Sequence, residues 1–273
     1  MNDLSINPAL ARQILSGFIK SEITRAGFSR AVIGLSGGID SALSCVLAVE
    51  ALGAENVLAV RMPHKASSHE SLDHAQLLID QLKIPSETIE ITDMVDSLIA
   101  RDADMSKVRK GNIMARSRMI VLYDRSEDFK GLVIGTSNKT EILLGYTTLW
   151  GDMASALNPI GDLYKTQVRQ LSRALNIPAP ILDKAPSADL WAGQTDESDL
   201  GFTYEQVDQL LYHLIDQRYL PEECVEAGFE KAFVEKVVTR IRRFQFKRMM
   251  PIIAKISNRT VGYDFLYLRD WGT

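Results

Sequence analysis

One short stretch of the chain combines the residue types that bind phosphate. It consists of Gly34, Leu35, Ser36, Gly37, Gly38, Ile39, Asp40 and Ser41. Adjacent glycines let the backbone approach an anion closely, and the free N–H groups of a following first helical turn point at that anion. Ser36 and Ser41 add hydroxyl donors, and Asp40 offers the carboxylate oxygen that Mg²⁺ prefers as a ligand. The stretch therefore predicts a site for a nucleotide's phosphates beside a divalent cation.

The same stretch differs from two other nucleotide-binding motifs. It lacks the Gly-Lys-Ser/Thr ending of a Walker A loop, and its glycines do not follow the G-x-G-x-x-G spacing of a dinucleotide-binding fold. The alternative interpretation is a strand-to-helix turn that binds nothing. The complete eight-residue pattern directly after an apolar run is far more specific than a pair of glycines, so we favour the phosphate loop.

The elements around this loop alternate between strands and helices. Short apolar runs predict buried strands at residues 31–35, 57–62, 88–91 and 132–135. Helical spacing predicts helices at about residues 40–51, 68–82, 94–99 and 112–123, after an opening amphipathic helix that ends near Gly27. This alternation predicts an α/β fold, a doubly wound parallel sheet with helices on both faces. Ligands of such sheets lie beyond the carboxyl ends of the strands.

The second part of the chain is predicted to form a helical C-terminal segment. A long helical pattern covers residues 230–248 and is followed by Pro251. Residues 185–201 are rich in Pro, Gly, Ser and acidic residues, and we interpret them as a loop that orders over the site when ATP binds. No internal repeat divides the sequence, and we expect a single domain over residues 1–273.

The overall composition narrows the class of protein. The net charge is −4, which disfavours nucleic acid as the main partner because general nucleic-acid binders carry a basic excess. Cys45 and Cys224 fall in no metal-ligand spacing, and this favours a reducing compartment. No apolar run reaches the length of a membrane span, and no signal peptide is recognisable. We therefore expect a cytoplasmic protein that has no membrane partner.

Residues 34–41 resemble the signature of the N-type ATP pyrophosphatases, which cleave ATP between the α and β phosphates. Six further segments are similar to those of one member family, the NAD synthetases. They are Gly-Thr-Ser-Asn-Lys-Thr-Glu at 135–141, Gly-Tyr at 145–146, Gly-Asp at 151–152, Pro-Ile-Gly-Asp-Leu-Tyr-Lys-Thr at 159–166, Pro-Ser-Ala-Asp-Leu at 186–190 and Gln-Thr-Asp-Glu at 194–197. The resemblance extends over residues 30–204 and implies an adenine nucleotide alpha hydrolase-like fold.

The resemblance also implies ligands and residue roles. The cofactors that it implies are ATP and Mg²⁺. Residues 34–41 match the ATP phosphate loop, and Asp40 and Glu141 match the magnesium ligands. The further positions that match ATP contacts are Arg61, Thr136, Lys165 and Ser187, and those that match contacts to deamido-NAD are Arg116 and Lys247. Four of these residues also have a purely structural interpretation. Taken alone, Glu141 is a helix-start acid and Lys165 an exposed helix lysine, while Arg116 and Lys247 lie in basic runs that are usually solvated.

An NAD synthetase of the ammonia-dependent type would adenylate the nicotinate carboxylate of deamido-NAD, after which ammonia displaces AMP. Asp152 is the candidate for orienting or deprotonating ammonia. The family further implies a homodimer, and a separate glutaminase is a possible ammonia source. The sequence departs from the family pattern at Leu149, Ala156 and Phe246, all on the deamido-NAD side.

Two rival functions are kept open. One is another pyrophosphatase of the same superfamily, either an RNA-modifying enzyme or a different amide-forming ligase. The other is a nucleotide-binding module without catalytic activity. The pair of acids after two different strands, Asp40 and Glu141, favours an enzyme, because a module that only binds ATP does not require both.

Overall fold

In the computed structural model of the chain, the described residues are 4–187, 189–191, 194–249, 251–262 and 264. The strands are β1 (Ala31–Gly34), β2 (Val57–Arg61), β3 (Ser86–Thr88) and β4 (Leu132–Ile134). They form one parallel sheet in the order β3-β2-β1-β4. Since the chain moves to one side of β1 through β2 and β3 and returns to its other side at β4, the topological switch point lies between β1 and β4.

Twelve α-helices are found in the part of the chain that the structure describes. They are α1 (Pro8–Arg25), α2 (Ile39–Leu52), α3 (His69–Leu82), α4 (Thr92–Ile99), α5 (Lys107–Phe129), α6 (Lys139–Leu144), α7 (Lys165–Ala174), α8 (Ala179–Asp183), α9 (Asp196–Leu200), α10 (Tyr204–Leu211), α11 (Pro221–Glu226) and α12 (Lys231–Arg243). None of these helices has the length and apolar character that a membrane crossing requires.

The two faces of the sheet bury different sets of helices. Along β1, Ala31 and Ile33 belong to a core that contains side chains of α1, α2, α7 and α8, whereas Val32 belongs to a second core with α4 and α5. A strand that is buried on both faces must be apolar at every position, which explains the continuous apolar run in the sequence. The predicted doubly wound α/β fold is therefore confirmed.

A third core belongs to the C-terminal part of the chain. It is formed by buried side chains of α6, α10, α11 and α12, together with Tyr164, Leu200 and Phe202. The expectation that this part is mostly helical is confirmed. Because α6 follows β4 directly, the helical segment packs against the end of the sheet at which the phosphate loop lies.

Three local predictions were wrong. The third strand ends at Thr88, near the start of the predicted range 88–91, because this edge strand is largely exposed and requires no apolar run. Residues 185–201 contain the short helix α9. The helix predicted at residues 230–248 ends at Arg243. The Arg248 side chain donates to the Ile241 carbonyl (2.9 Å), one of the carbonyl groups in the last turn that have no partner within the helix.

Gly37 is the residue of the phosphate loop that tolerates no side chain. Its φ is +77°, in the left-handed region, and a Cβ atom there would lie 2.1 Å from the carbonyl oxygen of Ser71 in α3. Gly38 differs, since its φ is −93° and a Cβ atom would lie 3.4 Å from the Ser36 hydroxyl oxygen. The loop therefore requires glycine at position 37 for its packing against α3.

This difference predicts unequal effects of two alanine substitutions. Gly37→Ala should lower the free energy of unfolding by about 2 kcal/mol or more, because backbone strain is combined with a backbone clash. Gly38→Ala should cost less than about 1 kcal/mol. Urea denaturation followed by circular dichroism measures both. Equal costs for the two variants would contradict the described loop geometry.

Candidate active site

The phosphate loop is held in shape by its own two serines. Ser41 donates its hydroxyl proton to the Gly38 carbonyl (3.0 Å), and its oxygen accepts from the Ser36 N–H (3.2 Å). Because the Ser41 proton is used in this way, the Ser36 hydroxyl donates to the Ser41 oxygen (3.0 Å), and it accepts from the Gly38 N–H (3.3 Å). These bonds fix the turn that leads from β1 into α2.

Two acids and one lysine meet at the switch point of the sheet. Asp40 lies in the first turn of α2, Glu141 in the first turn of α6, and Lys165 is the first residue of α7. The Lys165 ammonium lies 2.5 Å from Asp40 Oδ2 and 3.4 Å from Glu141 Oε1. The structure thus brings together three residues that the family resemblance assigned to the ATP site.

Asn138 fixes the two acids relative to each other. Its side-chain amide donates to Asp40 Oδ1 (2.9 Å), and its side-chain oxygen accepts from the Glu141 N–H (3.0 Å). The Glu141 carboxylate in turn accepts from the Asn138 N–H (3.3 Å), which completes a capping box at the start of α6. Asn138 was not predicted as a site residue, although an asparagine three residues before a glutamate is a recognisable helix-start pattern.

A buried aspartate behind the site joins the helices that carry Glu141 and Lys165. Asp208 in α10 is fully buried and accepts from the Thr140 hydroxyl (2.6 Å) and from the Thr166 N–H (2.9 Å). The Thr140 hydroxyl oxygen also accepts from the Lys165 N–H (3.0 Å). A carboxylate at the start of a helix is stabilised by the free N–H groups there. The C-terminal helical core therefore positions the starts of the helices that carry Glu141 and Lys165.

The two acids of this site repel each other when both are ionised. Burial first, and then the negative charge of Asp40, raise the pKa of Glu141 to about 8. Burial alone would lower the pKa of Lys165, but the carboxylates of Asp40 and Glu141 outweigh this effect and raise it. Lys165 therefore stays charged, and a second cation would relieve the repulsion between the acids.

The donor atoms suit a hard divalent cation. Asp40 and Glu141 offer oxygen only, which fits Mg²⁺, and their side chains keep 18% and 15% of their surface exposed, so an ion has access. Within the described residues, no group of three or more His, Cys, Asp or Glu is arranged to hold a metal by itself. Mg²⁺ commonly binds through one or two carboxylates plus phosphate oxygens and water, which is the set available here once a nucleotide is bound.

A large cavity opens from this acid–lysine cluster. Its volume is about 920 Å³, within the range of sites for nucleotide-sized ligands. The predicted site residues that line it are Gly34, Leu35, Ser36, Gly38, Ile39, Asp40, Ser41, Thr136, Glu141, Asp152, Lys165, Ser187 and Lys247. Residues 185–187, 189–191 and 194 also contribute to the wall.

Arg61 and Arg116, in contrast, do not line this cavity. The Arg61 guanidinium donates to the Gln76 side chain (2.6 Å). Arg116 is exposed and donates through Nε and Nη2 to the Leu149 carbonyl (3.2 and 3.1 Å). Their nucleotide-binding roles therefore remain predictions that the present arrangement of side chains does not support directly.

Asp152 and Lys247 both line the cavity, and the Lys247 side chain contacts the segment that leads to Asp152. Asp152 is exposed on the cavity wall, where the surrounding protein removes part of its solvation and raises its pKa to about 6. Its carboxylate accepts from the Thr148 N–H (2.6 Å). The Lys247 ammonium donates to the Gly145 and Thr147 carbonyls (2.8 and 2.5 Å).

Two further charged residues of the cavity wall were not expected. Arg118 donates to the Met62 carbonyl (3.1 Å), and burial lowers its pKa despite the opposing charges of Asp189 and Asp152. Asp196 is buried and accepts from the Tyr204 hydroxyl (2.9 Å), and its pKa is raised by burial. Arg118 lies in a basic run and carries no local sequence signal. Asp196 lies in the segment 194–197 that resembles the family, which could have pointed to it, but no role was assigned to it.

Comparison with known proteins agrees with this geometry. The family model described as NAD synthase matches residues 11–251 of the chain. The chain belongs to the NAD synthase family. One relative, the NH(3)-dependent NAD(+) synthetase of Chlorobium phaeovibrioides, is 58% identical over 271 residues, which are 99% of this chain and 98% of the relative.

Two solved structures resemble the fold of this chain closely. NMN synthetase from Francisella tularensis has a TM-score of 0.82 and 34% identity, over 92% of this chain and all of that chain. The NH3-dependent NAD synthetase from Campylobacter jejuni, in complex with the nitrate ion, has a TM-score of 0.78 and 34% identity with the same coverage. The family resemblance found in the sequence is therefore confirmed.

The raised pKa of Glu141 predicts how stability depends on pH without metal or nucleotide. The folded state holds the Glu141 proton up to about pH 8, whereas the unfolded chain releases it near pH 4.5. The folded state is thus favoured at low pH, and this contribution is lost as the pH rises from about 5 to 8. The glutamine side chain of Glu141→Gln does not titrate. Between about pH 5 and 8, the free energy of unfolding of the wild type should therefore fall by about 1 kcal/mol or more relative to that of the variant.

Urea denaturation at several pH values in the presence of a chelator measures this effect. Glu226→Gln, at an exposed position, serves as the matched control and should follow the wild type. Parallel pH profiles for wild type and Glu141→Gln would show that burial and Asp40 do not hold the Glu141 proton.

Proposed function

We propose that the chain catalyses the ATP-dependent amidation of deamido-NAD with ammonia, which gives NAD, AMP and pyrophosphate. The observation that carries this proposal is the Asp40–Lys165–Glu141 cluster beside the phosphate loop in a member of the NAD synthase family. Three relatives that are 55% to 58% identical to this chain are named NH(3)-dependent NAD(+) synthetases. An RNA-modifying role has no comparable support, and neither does a module that binds ATP without turnover.

In the first step, the nicotinate carboxylate attacks the α-phosphorus of ATP and pyrophosphate leaves. The phosphate loop offers backbone N–H groups to the phosphates, and Lys165 keeps a positive charge beside their oxygens. A magnesium ion held by Asp40 and Glu141 would supply further charge neutralisation for the departing pyrophosphate. Asn138 keeps the Asp40 carboxylate in place throughout. No protein nucleophile is required, so the contribution of the chain is positioning and charge.

In the second step, ammonia attacks the acyl adenylate and AMP leaves. Asp152 is suited to this step because its pKa of about 6 makes it mainly ionised at neutral pH while it remains a usable base. Its carboxylate faces the cavity, where it would hold an ammonium ion and accept a proton as the ammonia attacks. This role rests on its position and charge.

One observation favours a second nucleotide substrate. The comparison with NMN synthetase gives a TM-score of 0.82, and an amidation that forms NMN starts from nicotinate mononucleotide. Arg116, which matches a deamido-NAD contact, is bonded to the carbonyl of Leu149, one of the positions that depart from the family pattern. Nicotinate mononucleotide should therefore be tested beside deamido-NAD as a substrate.

The remaining partner assignments are also proposals. A homodimer is supported by Leu10, Ile14 and Phe18, which form an exposed apolar stripe on α1 at four-residue spacing, and the molar mass in solution tests it. A cytoplasmic location and a separate glutaminase as ammonia source remain predictions from the sequence.

A substrate panel tests the proposed reaction. With Mg-ATP and ammonium, the purified protein should convert deamido-NAD to NAD while ATP is cleaved to AMP and pyrophosphate. It should convert nicotinate mononucleotide to NMN less efficiently, and neither product should form when glutamine replaces ammonium. Chromatographic detection of each product makes the comparison. Pyrophosphate release without dependence on either pyridine nucleotide would argue for one of the rival pyrophosphatase functions.

Asp40→Asn tests the assignment of the acid pair. The amide keeps the size of the side chain but removes the charge, so turnover should fall by about 10²-fold or more while the fold persists. Asp93→Asn, at an exposed position in α4, is the control and should keep wild-type turnover. Wild-type turnover in Asp40→Asn, with NAD measured as product, would refute the assignment.

A further inference from the structure

Lys184 lies on the cavity wall close to the phosphate loop, and no role was assigned to it from the sequence. It follows α8 at the start of the segment that carries Ser187. Its ammonium donates to the Ser71 hydroxyl (2.7 Å). The backbone of Ser71 is the part of α3 that lies directly against Gly37. Ser71 therefore contacts the phosphate loop with its backbone and Lys184 with its side chain.

A neighbouring aspartate holds this segment in place. Asp189 accepts from the Ser71 hydroxyl (3.0 Å) and from the Ser68 N–H at the start of α3 (3.2 Å). Because the Ser71 proton is used on Asp189, the Ser71 oxygen is free to accept from Lys184. The two hydrogen bonds of Asp189 thus fix the chain that follows Lys184 against α3. The Lys184 ammonium is thereby held at the cavity wall.

Lys184 differs from Lys165 in its pairing and from the other described cations of the cavity in its position beside Ser71. Lys107, for example, also lines the cavity but lies over the Trp191 ring, 6.0 Å from its centroid. Lys165 is paired with two carboxylates, and Lys247 donates to two carbonyl groups. Arg118 and Arg240 also donate to carbonyl groups. Among the described residues, no carboxylate lies within ion-pair distance of Lys184, whose partner is a neutral hydroxyl group. Its positive charge is therefore available to an anion that enters the cavity.

We propose that Lys184 binds the β and γ phosphates of ATP and the pyrophosphate that they become. Most of the negative charge of ATP lies on these two phosphates, and Lys165 is already offset by two acids, so a second ammonium is required on the side of the loop that faces α3. As the new bond from substrate carboxylate to α-phosphorus forms, the bond from α-phosphorus to the bridging oxygen breaks. Its electron pair stays on the pyrophosphate, while Lys184 keeps its protons and stabilises the added charge.

This inference rests on the proposed ATP-dependent reaction. Ligand-binding measurements test the phosphate-binding role of Lys184 independently of whether the protein makes NAD. Calorimetric titrations of wild type, Lys184→Met and Lys184→Arg with ATP, pyrophosphate and AMP are compared in the presence of Mg²⁺. Lys184→Met should bind ATP and pyrophosphate about tenfold or more weakly, as expected for the loss of one charge-assisted contact, while AMP binding is retained. Lys184→Arg keeps the charge and should retain most of the affinity for both.

Two controls separate charge from structure. Lys20→Met, at an exposed position on α1, should bind all three ligands like the wild type. Ser71→Ala removes the partner of Lys184 but keeps its charge, so it should weaken ATP and pyrophosphate binding much less than Lys184→Met does. The Michaelis constant for ATP should rise in Lys184→Met, while that for deamido-NAD stays near the wild-type value.

The proposal is overturned if Lys184→Met binds ATP and pyrophosphate like the wild type. It is also overturned if AMP binding falls as much as ATP binding, or if Ser71→Ala reproduces the full loss, because either result assigns Lys184 a purely structural role. If the wild type makes no NAD but Lys184→Met still loses pyrophosphate affinity selectively, the phosphate site stands and the proposed function fails.

Discussion

The burial of two carboxylates around a single ammonium group is the interaction on which the rest of the structure depends. Lys165 and Asp40 are 125 positions apart in the chain, yet their side chains meet at 2.5 Å, and Glu141 completes the cluster. Buried charges are costly unless they are paired and hydrogen-bonded, so this cluster requires a scaffold that fixes every member. With two acids and one lysine, the cluster becomes negative when Glu141 releases its proton, and a divalent cation bound by both acids would favour that release.

The scaffold supplies this precision through two separate layers. The parallel sheet places the ends of β1 and β4 side by side, so the starts of α2 and α6, which carry Asp40 and Glu141, lie close together. Behind them, Asp208 of the C-terminal helical core bonds to the starts of α6 and α7, and it thereby orients Glu141 and Lys165. The helical segment that the sequence showed only as a run of amphipathic patterns is thus part of the active-site support.

Much of the fold and part of the site were predictable, because the signals concerned are local. Residues adjacent in sequence determine the phosphate loop, the buried strands and the capped helices. Asn138 could have been predicted as a helix cap from the same kind of signal. The Asp208 network, the burial of Arg118 and the orientations of Arg61 and Arg116 were not predictable. Each depends on which side chains meet across distant segments, and charged residue types alone do not distinguish a buried cation from a solvated one.

The central claim is that residues 34–41 and the acid pair hold the triphosphate of ATP together with a metal ion. The most direct test is a crystal structure of the protein with Mn²⁺ and an ATP analogue whose α–β bridge cannot be cleaved. The account predicts an anomalous manganese peak bound by Asp40 and Glu141, with the triphosphate along the phosphate loop. A nucleotide bound elsewhere in the cavity, or a manganese ion that contacts neither acid, would contradict it.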